Sequence, residues 1–221
     1  MQSSPTDTPN NTTIFDNVTI PAEPHLNIYQ RLESHTYFLR EHHGEAYRNF
    51  KRAVFPDEDN AQIINDLQVP NIPNSDCLPH AAERVLMSHE DLLLLHYPNL
   101  LAYQSGLQAV LIDEESRHEI TPVTELPEYL HNLRMTMIDF MRFRHRMEIA
   151  MLKEGLHEHI VRPSTVIPVE FTENTNVIER NLRNLYVFQE FDQYAAYTSG
   201  DITRILRHHL ELQAAADDDL E

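Results

Sequence analysis

Apolar residues recur every three or four positions along two long stretches of the chain, and this spacing predicts amphipathic helices. The first stretch covers residues 25–54 and lies between Pro24 and Pro56, both suitable helix boundaries. The second covers residues 127–154, and Gly155 follows it as a residue that can end a helix. Helices that are apolar along one face must bury that face against another element.

Shorter helical patterns occupy much of the remaining sequence. Proline is expected to begin or end a helix because it lacks the backbone N–H. Pro98 therefore predicts a new helix start, and the Ser-Gly-Asp sequence at 199–201 predicts a break between the last two helices. The shorter predicted helices cover residues 57–67, 81–87, 98–112, 174–198 and 201–215.

Two segments depart from the helical pattern. Around residues 110–121, two short apolar runs flank a polar bend, which predicts a minor β-hairpin or a loop. Pro122 supports an interruption there, because a proline cannot continue a helix without losing a hydrogen bond. Residues 162–171 hold two prolines among β-branched residues and are predicted to be extended.

These patterns predict an all-α fold, an irregular helical bundle built around two long helices. The predicted domain organisation has three parts. Residues 1–24 are polar and form a flexible arm, residues 25–215 form a single helical domain, and residues 216–221 form an acidic tail.

Composition excludes several enzyme classes. The chain has only 4 glycines, too dispersed for a dinucleotide-binding turn, a P-loop or a nucleophile elbow. The single cysteine, Cys77, excludes an internal disulfide and a multi-cysteine metal site. No positive charge near Cys77 lowers the pKa of its thiol, so a cysteine nucleophile is disfavoured. We expect no cofactor.

The formal net charge of −18 at pH 7 restricts the partners that the surface can attract. Such a charge repels phosphate backbones and opposes general nucleic-acid binding. The longest apolar run, residues 92–95, is far too short for a membrane span, and no secretory signal is visible at the start. These features predict a cytoplasmic or otherwise intracellular protein with no membrane association.

The 14 histidines prompt a test for metal-binding patterns. Di-iron bundles use Glu-x-x-His motifs that project inward from the middle of helices. The candidates here sit in a predicted loop, a first helical turn and a helix end, so we expect no metal site and keep a metalloprotein as an alternative. The triplets are Glu115–His118, Glu128–His131 and Glu154–His157.

One basic cluster interrupts the acidic background, within the predicted helix 127–154. Arg142 and Arg146 share a helix face because they are four residues apart, whereas Arg144 points elsewhere. The arginines can pair with acids of the chain itself, or bind a partner or another subunit. Tyr194 and Tyr197 belong to an aromatic-rich helix, and any aromatic ring left exposed there would suit a protein interface.

Taken together, the sequence predicts a non-catalytic helical interaction protein, an assembly or complex subunit that forms homo-oligomers. Its partner is another protein or further copies of itself, and the candidate partner-binding residues are Arg142, Arg144, Arg146, Tyr194 and Tyr197. Two alternatives remain open. One is the metalloprotein described above, and the other is an acidic decoy that occupies a basic site on a partner protein.

Overall fold

A computed structural model describes residues 24–56, 69–120, 127–161 and 176–218. In these residues the chain is helical, and no β-strand is present among them. Four helices are long and one is a single turn; two short 3₁₀ turns, Ser75–Cys77 and His157–His159, complete the described structure. The helices are α1 (His25–Val54), α2 (Ala81–Arg84), α3 (His89–Ile120), α4 (Glu128–Lys153) and α5 (Val177–Asp218).

The two strongest sequence patterns form the helices that they predict, α1 and α4. At the end of α4, Gly155 adopts a left-handed conformation with φ 78°. The amide of Leu156 donates to the carbonyl of Met151 over 2.8 Å, and the amide of Gly155 donates to Leu152 over 3.2 Å. This pair of bonds is a Schellman motif, which satisfies the last carbonyls of the helix. The all-α prediction is confirmed.

Three predicted interruptions are wrong. Pro98 lies inside α3, the hairpin or loop predicted at 110–121 is helix up to Ile120, and residues 199–201 continue α5. Around Pro98 and around residues 199–201, buried residues on both sides hold the helical path. Burial of Leu93 and Leu100 outweighs the roughly 3 kcal/mol cost of an internal proline.

Several predictions fall wholly or partly outside the described residues. These are the arm at 1–24 apart from Pro24, the helix at 57–67, the extended segment at 162–171, and residues 219–221 of the tail. Residues 216–218 of the predicted tail belong to the exposed end of α5. The short helix predicted at 81–87 ends at Arg84.

The long helices pack antiparallel to their neighbours. Between α1 and α4, Tyr29 contacts Glu154 near one end, whereas Phe50 contacts Tyr129 near the other. The same opposite running appears between α3 and α4, where Tyr97 bonds to Glu148. Because residue numbers rise along one helix as they fall along the other, each pair is antiparallel.

Helix α5 closes the bundle against α1 and α3. His43 of α1 bonds to the carbonyl of Phe188, and Glu33 of α1 bonds to Thr203. Since both α1 and α3 run opposite to α4 and α5, they are parallel to each other and lie on the diagonal. This up-up-down-down connectivity requires two long crossover connections, before α3 and before α5.

The connectivity gathers different chemistry at the two ends of the bundle. The starts of α1 and α3 meet the end of α4 and the part of α5 around residues 208–209, and we call this the histidine end. It contains His25, His89, Glu154, His208 and His209. At the opposite end, which we call the ion-pair end, α3 meets α5 through Asp113, Glu114, Arg180, Arg183 and Asn184.

The core between the four long helices is rich in aromatic rings. Burying one such side chain contributes about 1.5–3 kcal/mol relative to leaving it in water. The ring of Phe191 lies at the centre, within 5.5 Å of the rings of Phe140 and Tyr103. The largest fully buried side chains include Tyr29, Tyr97, Tyr103, Tyr194, Phe50, Phe140, Phe143, Phe188 and Phe191.

Candidate functional site

The three arginines singled out by the sequence lie on two different faces of α4, as their spacing predicts. Arg142 donates to Asp139 over 3.1 Å while 60% of its side chain stays exposed. Arg144 faces α3 instead, where it donates to Gln104 over 3.0 Å and lies 3.3 Å from Glu148. Two of the arginines therefore pair with acids of the chain itself.

The two tyrosines have different environments. Tyr194 is 1% exposed, and its hydroxyl donates to the backbone carbonyl of His96 over 2.7 Å. Its ring packs in the core and offers no surface to a partner. Its assignment as a partner-binding residue is therefore wrong. Tyr197 is half-buried, with the guanidinium carbon of Arg84 4.9 Å from its ring centroid, at the edge of a surface cavity.

Arg142 lies beside α1, because it shares the partner Asp139 with His42 of that helix. His42 of α1 contacts Asp139 over 2.6 Å, which places this stripe of α1 against the Arg142 side of α4. Phe38 occupies the same stripe because it lies four residues before His42. Phe38 is 48% exposed and Tyr37 is 63% exposed, and their ring centroids are 5.7 Å apart. We call Tyr37, Phe38, Arg142 and Arg146 the basic–aromatic face.

His35 of α1 lies close enough to Arg146 and Arg142 to be influenced by their charge. The pKa of His35 is lowered from its usual value, first by burial and then by the positive charge of Arg146. The neighbouring Asp139 and Arg142 partly oppose each other. The exposed acids Glu41 and Glu45 follow Phe38 by three and seven residues on α1, so Arg142 and Arg146 carry the positive charge of this face against an acidic surrounding.

A second feature is the end of α5, where every residue from 210 to 218 is exposed. This segment is about 14 Å of helix at 1.5 Å per residue. It carries Leu210 and Leu212, which are 45% and 55% exposed, together with the acids Glu211, Asp217 and Asp218. The helix dipole adds partial negative charge at the same end.

The Glu-x-x-His triplets do not act as units in the described structure. Glu115 pairs with Arg134 over 2.8 Å, and the side chain of His118 lies outside the described residues. Glu128 and His131 are both exposed in the first turns of α4. Glu154 lies close to histidines of other helices, whereas His157 is exposed.

Those histidines form the cluster at the histidine end. One ligand atom each from His25, Glu154 and His209 lies within 4.8 Å of the others. The ring of Tyr29 stacks on that of His209 at 4.8 Å, and its hydroxyl donates to Glu154 over 2.8 Å. The Nε2 atom of His209 is buried and has no hydrogen-bond partner among the described residues.

Two further histidines, His89 and His208, extend this cluster. The ring of His89 lies 5.2 Å from that of His209 and 5.1 Å from that of His208. Burial, followed by charge repulsion from a neighbouring histidine, lowers the pKa of His89 and of His209. A surface cavity of about 350 Å³ opens beside His89 and His208.

A buried polar set joins α3 to α5 between the two ends. His96 contacts Asp201 over 2.9 Å through Nε2 and Thr198 over 3.1 Å through Nδ1. Burial alone would raise the pKa of Asp201, but hydrogen bonds and charge from His96 and Arg84 lower it. Hydroxyl, imidazole and carboxylate are the groups of a catalytic triad. Thr198 is only 1% exposed, however, so no substrate reaches its hydroxyl and the set is structural.

Sequence reasoning missed the histidine cluster because its members come from different helices and are far apart in the chain. Only Glu154 was singled out, and with the wrong histidine. The adjacent pair His208–His209 near a helix end was the one local signal.

In the described part of the chain, no helix combines the length and apolar character needed to cross a membrane. Comparisons with protein-family models, curated proteins and solved structures found no significant match. The geometry of the chain itself is therefore the basis for a functional interpretation.

Proposed function

We propose that this protein is a non-catalytic helical interaction protein that self-associates. In the assembly, the acidic end of α5 from one copy covers the basic–aromatic face of another. The observation that carries the proposal is the end of α5, where residues 210–218 extend as exposed helix. Short helices are marginal in water without tertiary packing, so a second copy packed against this segment would stabilise it.

Apolar exposure supports both halves of the contact. Leu210 and Leu212 are about half exposed on the projecting segment, and Tyr37 and Phe38 are about half exposed on the opposing face. Aromatic rings next to arginine are the side chains that contribute most at protein interfaces. Covering these groups removes apolar area from water at about 25 cal/mol per Å².

Charge complementarity favours a second copy as the occupant. The projecting segment ends in Asp217 and Asp218 and at the negative end of the helix dipole. Arg142 keeps 60% of its side chain in solvent although it contacts Asp139. Opposite charges on the two surfaces orient the contact and exclude partners of the same sign.

Arg142 and Arg146 also distinguish this proposal from the acidic decoy. A decoy needs a continuous acidic face, and Arg142 and Arg146 interrupt the surface of α4. The sequence-based proposal of a cytoplasmic or otherwise intracellular location is retained, and it fits a protein with a single, exposed cysteine.

Light scattering coupled to size-exclusion chromatography tests the proposal directly. The wild type is expected to show oligomers that dissociate as ionic strength rises, because salt screens exposed charges. Leu210→Glu combined with Leu212→Glu is expected to yield monomers, and so is Arg142→Glu. Arg52→Glu, at an exposed arginine in the last turn of α1, should leave the oligomer intact.

A charge swap identifies the contact. Adding Asp217→Arg and Asp218→Arg to the Arg142→Glu variant should restore part of the association. A wild type that stays monomeric throughout the micromolar range contradicts the proposal. So does an oligomer that is indifferent to both the α5 variant and Arg142→Glu.

A further inference from the structure

We propose that His25, Glu154 and His209 form a binding site for a divalent transition metal ion, with Zn²⁺ as the best match. The site ties together the start of α1, the end of α4 and the part of α5 around His209. It goes beyond the proposed self-association and is independent of it. Two imidazoles and one carboxylate form the ligand set of many three-ligand zinc sites, in which water fills the fourth position.

The distances suit an ion after small side-chain adjustments. In a tetrahedral zinc site with bonds of about 2.0–2.1 Å, ligand atoms are separated by about 3.3 Å. The three candidate ligand atoms lie within 4.8 Å of one another. His25 is the first residue of α1 and is exposed, so its ring can rotate toward the other two.

His209 carries a cost that an ion would remove. Its Nε2 atom is buried without a hydrogen-bond partner among the described residues. A buried polar atom without a partner typically costs about 1–3 kcal/mol. The side chain is nevertheless held in place by stacking on the buried ring of Tyr29.

Glu154 is held as metal-binding carboxylates commonly are. Tyr29 donates to its Oε1 atom over 2.8 Å, which orients the carboxylate and leaves its other oxygen available. The Schellman motif at Gly155 fixes the backbone immediately beyond it. A negative side chain at a helix C-terminus opposes the helix dipole by roughly 0.3–1 kcal/mol, and a bound cation would offset that repulsion.

The donor set selects among metal ions. Imidazole suits zinc, copper, nickel and iron, whereas calcium and magnesium prefer sites made of oxygen atoms. The exposed side chain of His25 keeps the group open to solvent. The net charge of −18 raises the local concentration of cations around the protein.

Isothermal titration of ZnCl₂ into the untagged full-length protein tests the site, with Co²⁺ absorption as a second readout of coordination. The wild type is expected to bind one Zn²⁺ more tightly than any other and to gain thermal stability as it does so. His209→Ala, His25→Ala and Glu154→Gln should each weaken that binding by about 100-fold or more, since even outer residues around metal sites contribute 10–100-fold.

His208→Ala is the matched control, because His208 neighbours His209 on α5 but lies outside the three-ligand group. It should change the affinity by less than about threefold, below the 10–100-fold range of outer residues. Circular dichroism establishes that each variant is folded, and the exposed His25 supplies a ligand variant that leaves the core untouched. The proposal is overturned if the wild type binds no Zn²⁺ ion tightly. It is also overturned if His208→Ala and His209→Ala lower the zinc affinity equally.

Discussion

The two ends of the bundle contain similar numbers of polar side chains but satisfy them in opposite ways. At the ion-pair end, Glu114 is fully buried and accepts hydrogen bonds from Tyr129 and Asn184, each over 2.8 Å. Asp113 accepts from both Arg180 and Arg183. Each buried carboxylate there has partners supplied by other helices.

The histidine end lacks this mutual satisfaction. Glu154 accepts one hydrogen bond from Tyr29, and Nε2 of His209 has none within the described structure. Burial, and then the neighbouring histidines, lower the pKa of His89 and of His209. A closed network of opposite charges stabilises a fold by itself. A cluster of imidazole groups stabilises the fold only when a metal ion binds to them.

The largest expected effect is at the ion-pair end. Asp113→Ala leaves Arg183, which is only 6% exposed, without its carboxylate and should lower the free energy of unfolding by about 3–5 kcal/mol. Glu115→Ala is the adjacent control, because its pair with Arg134 is largely exposed and is worth about 0–1 kcal/mol. Urea denaturation measures both, and equal losses would contradict a structural role for this end.

A buried histidine between the two ends provides a reference for an imidazole outside the proposed metal site. His43 donates from Nε2 to the carbonyl of Phe188 over 2.8 Å, and burial lowers its pKa to about 4. The unfolded chain takes up this proton near pH 6.5, so the stabilising contribution is complete above that pH and falls as the pH drops toward 4.

The expected loss from His43 is about 2–3 kcal/mol between pH 7 and pH 4. His43→Gln keeps a donor for Phe188 but removes the titration, so its stability should vary less over this interval. Denaturant melts at several pH values measure the difference between the two proteins. Parallel pH profiles would show that His43 does not carry this dependence.

The smallest effect separates hydrogen bonding from metal binding. Tyr29→Phe removes the bond to Glu154 and should cost about 1 kcal/mol of stability and about tenfold in zinc affinity. Tyr97→Phe removes the contacts of this hydroxyl with Glu148 and with the carbonyl of Val161, and should cost about 1 kcal/mol of stability with no change in zinc affinity. Equal zinc affinities for the two variants would argue against an orienting role for Tyr29.

Local sequence patterns were sufficient to predict the helices whose boundaries are marked by residues next to them in the chain. The apolar spacing of α1 and α4 and the glycine after α4 are properties of neighbouring residues. Pro98 and Gly200 misled because distant contacts outweighed their local preference. Asp201, one residue after Gly200, is held by Arg84 and His96 of other elements, and a glycine costs only about 1 kcal/mol in a helix.

The candidate sites divide in the same way. Helical spacing correctly separated Arg144 from Arg142 and Arg146, because a helix places residues four apart on one face. The same reasoning could not decide which rings of α5 are exposed, and Tyr194 is buried. The meeting of His25, Glu154 and His209 depends on the order in which the helices pack, which no short pattern encodes.

Hydrogen exchange measured by mass spectrometry, with and without one equivalent of Zn²⁺, tests the difference between the two ends most directly. Exchange should slow at the start of α1, the end of α4 and residues 205–210 of α5. It should stay unchanged in residues 110–117 of α3 and 180–184 of α5. Protection spread evenly over both ends, or confined to the ion-pair end, would contradict this account.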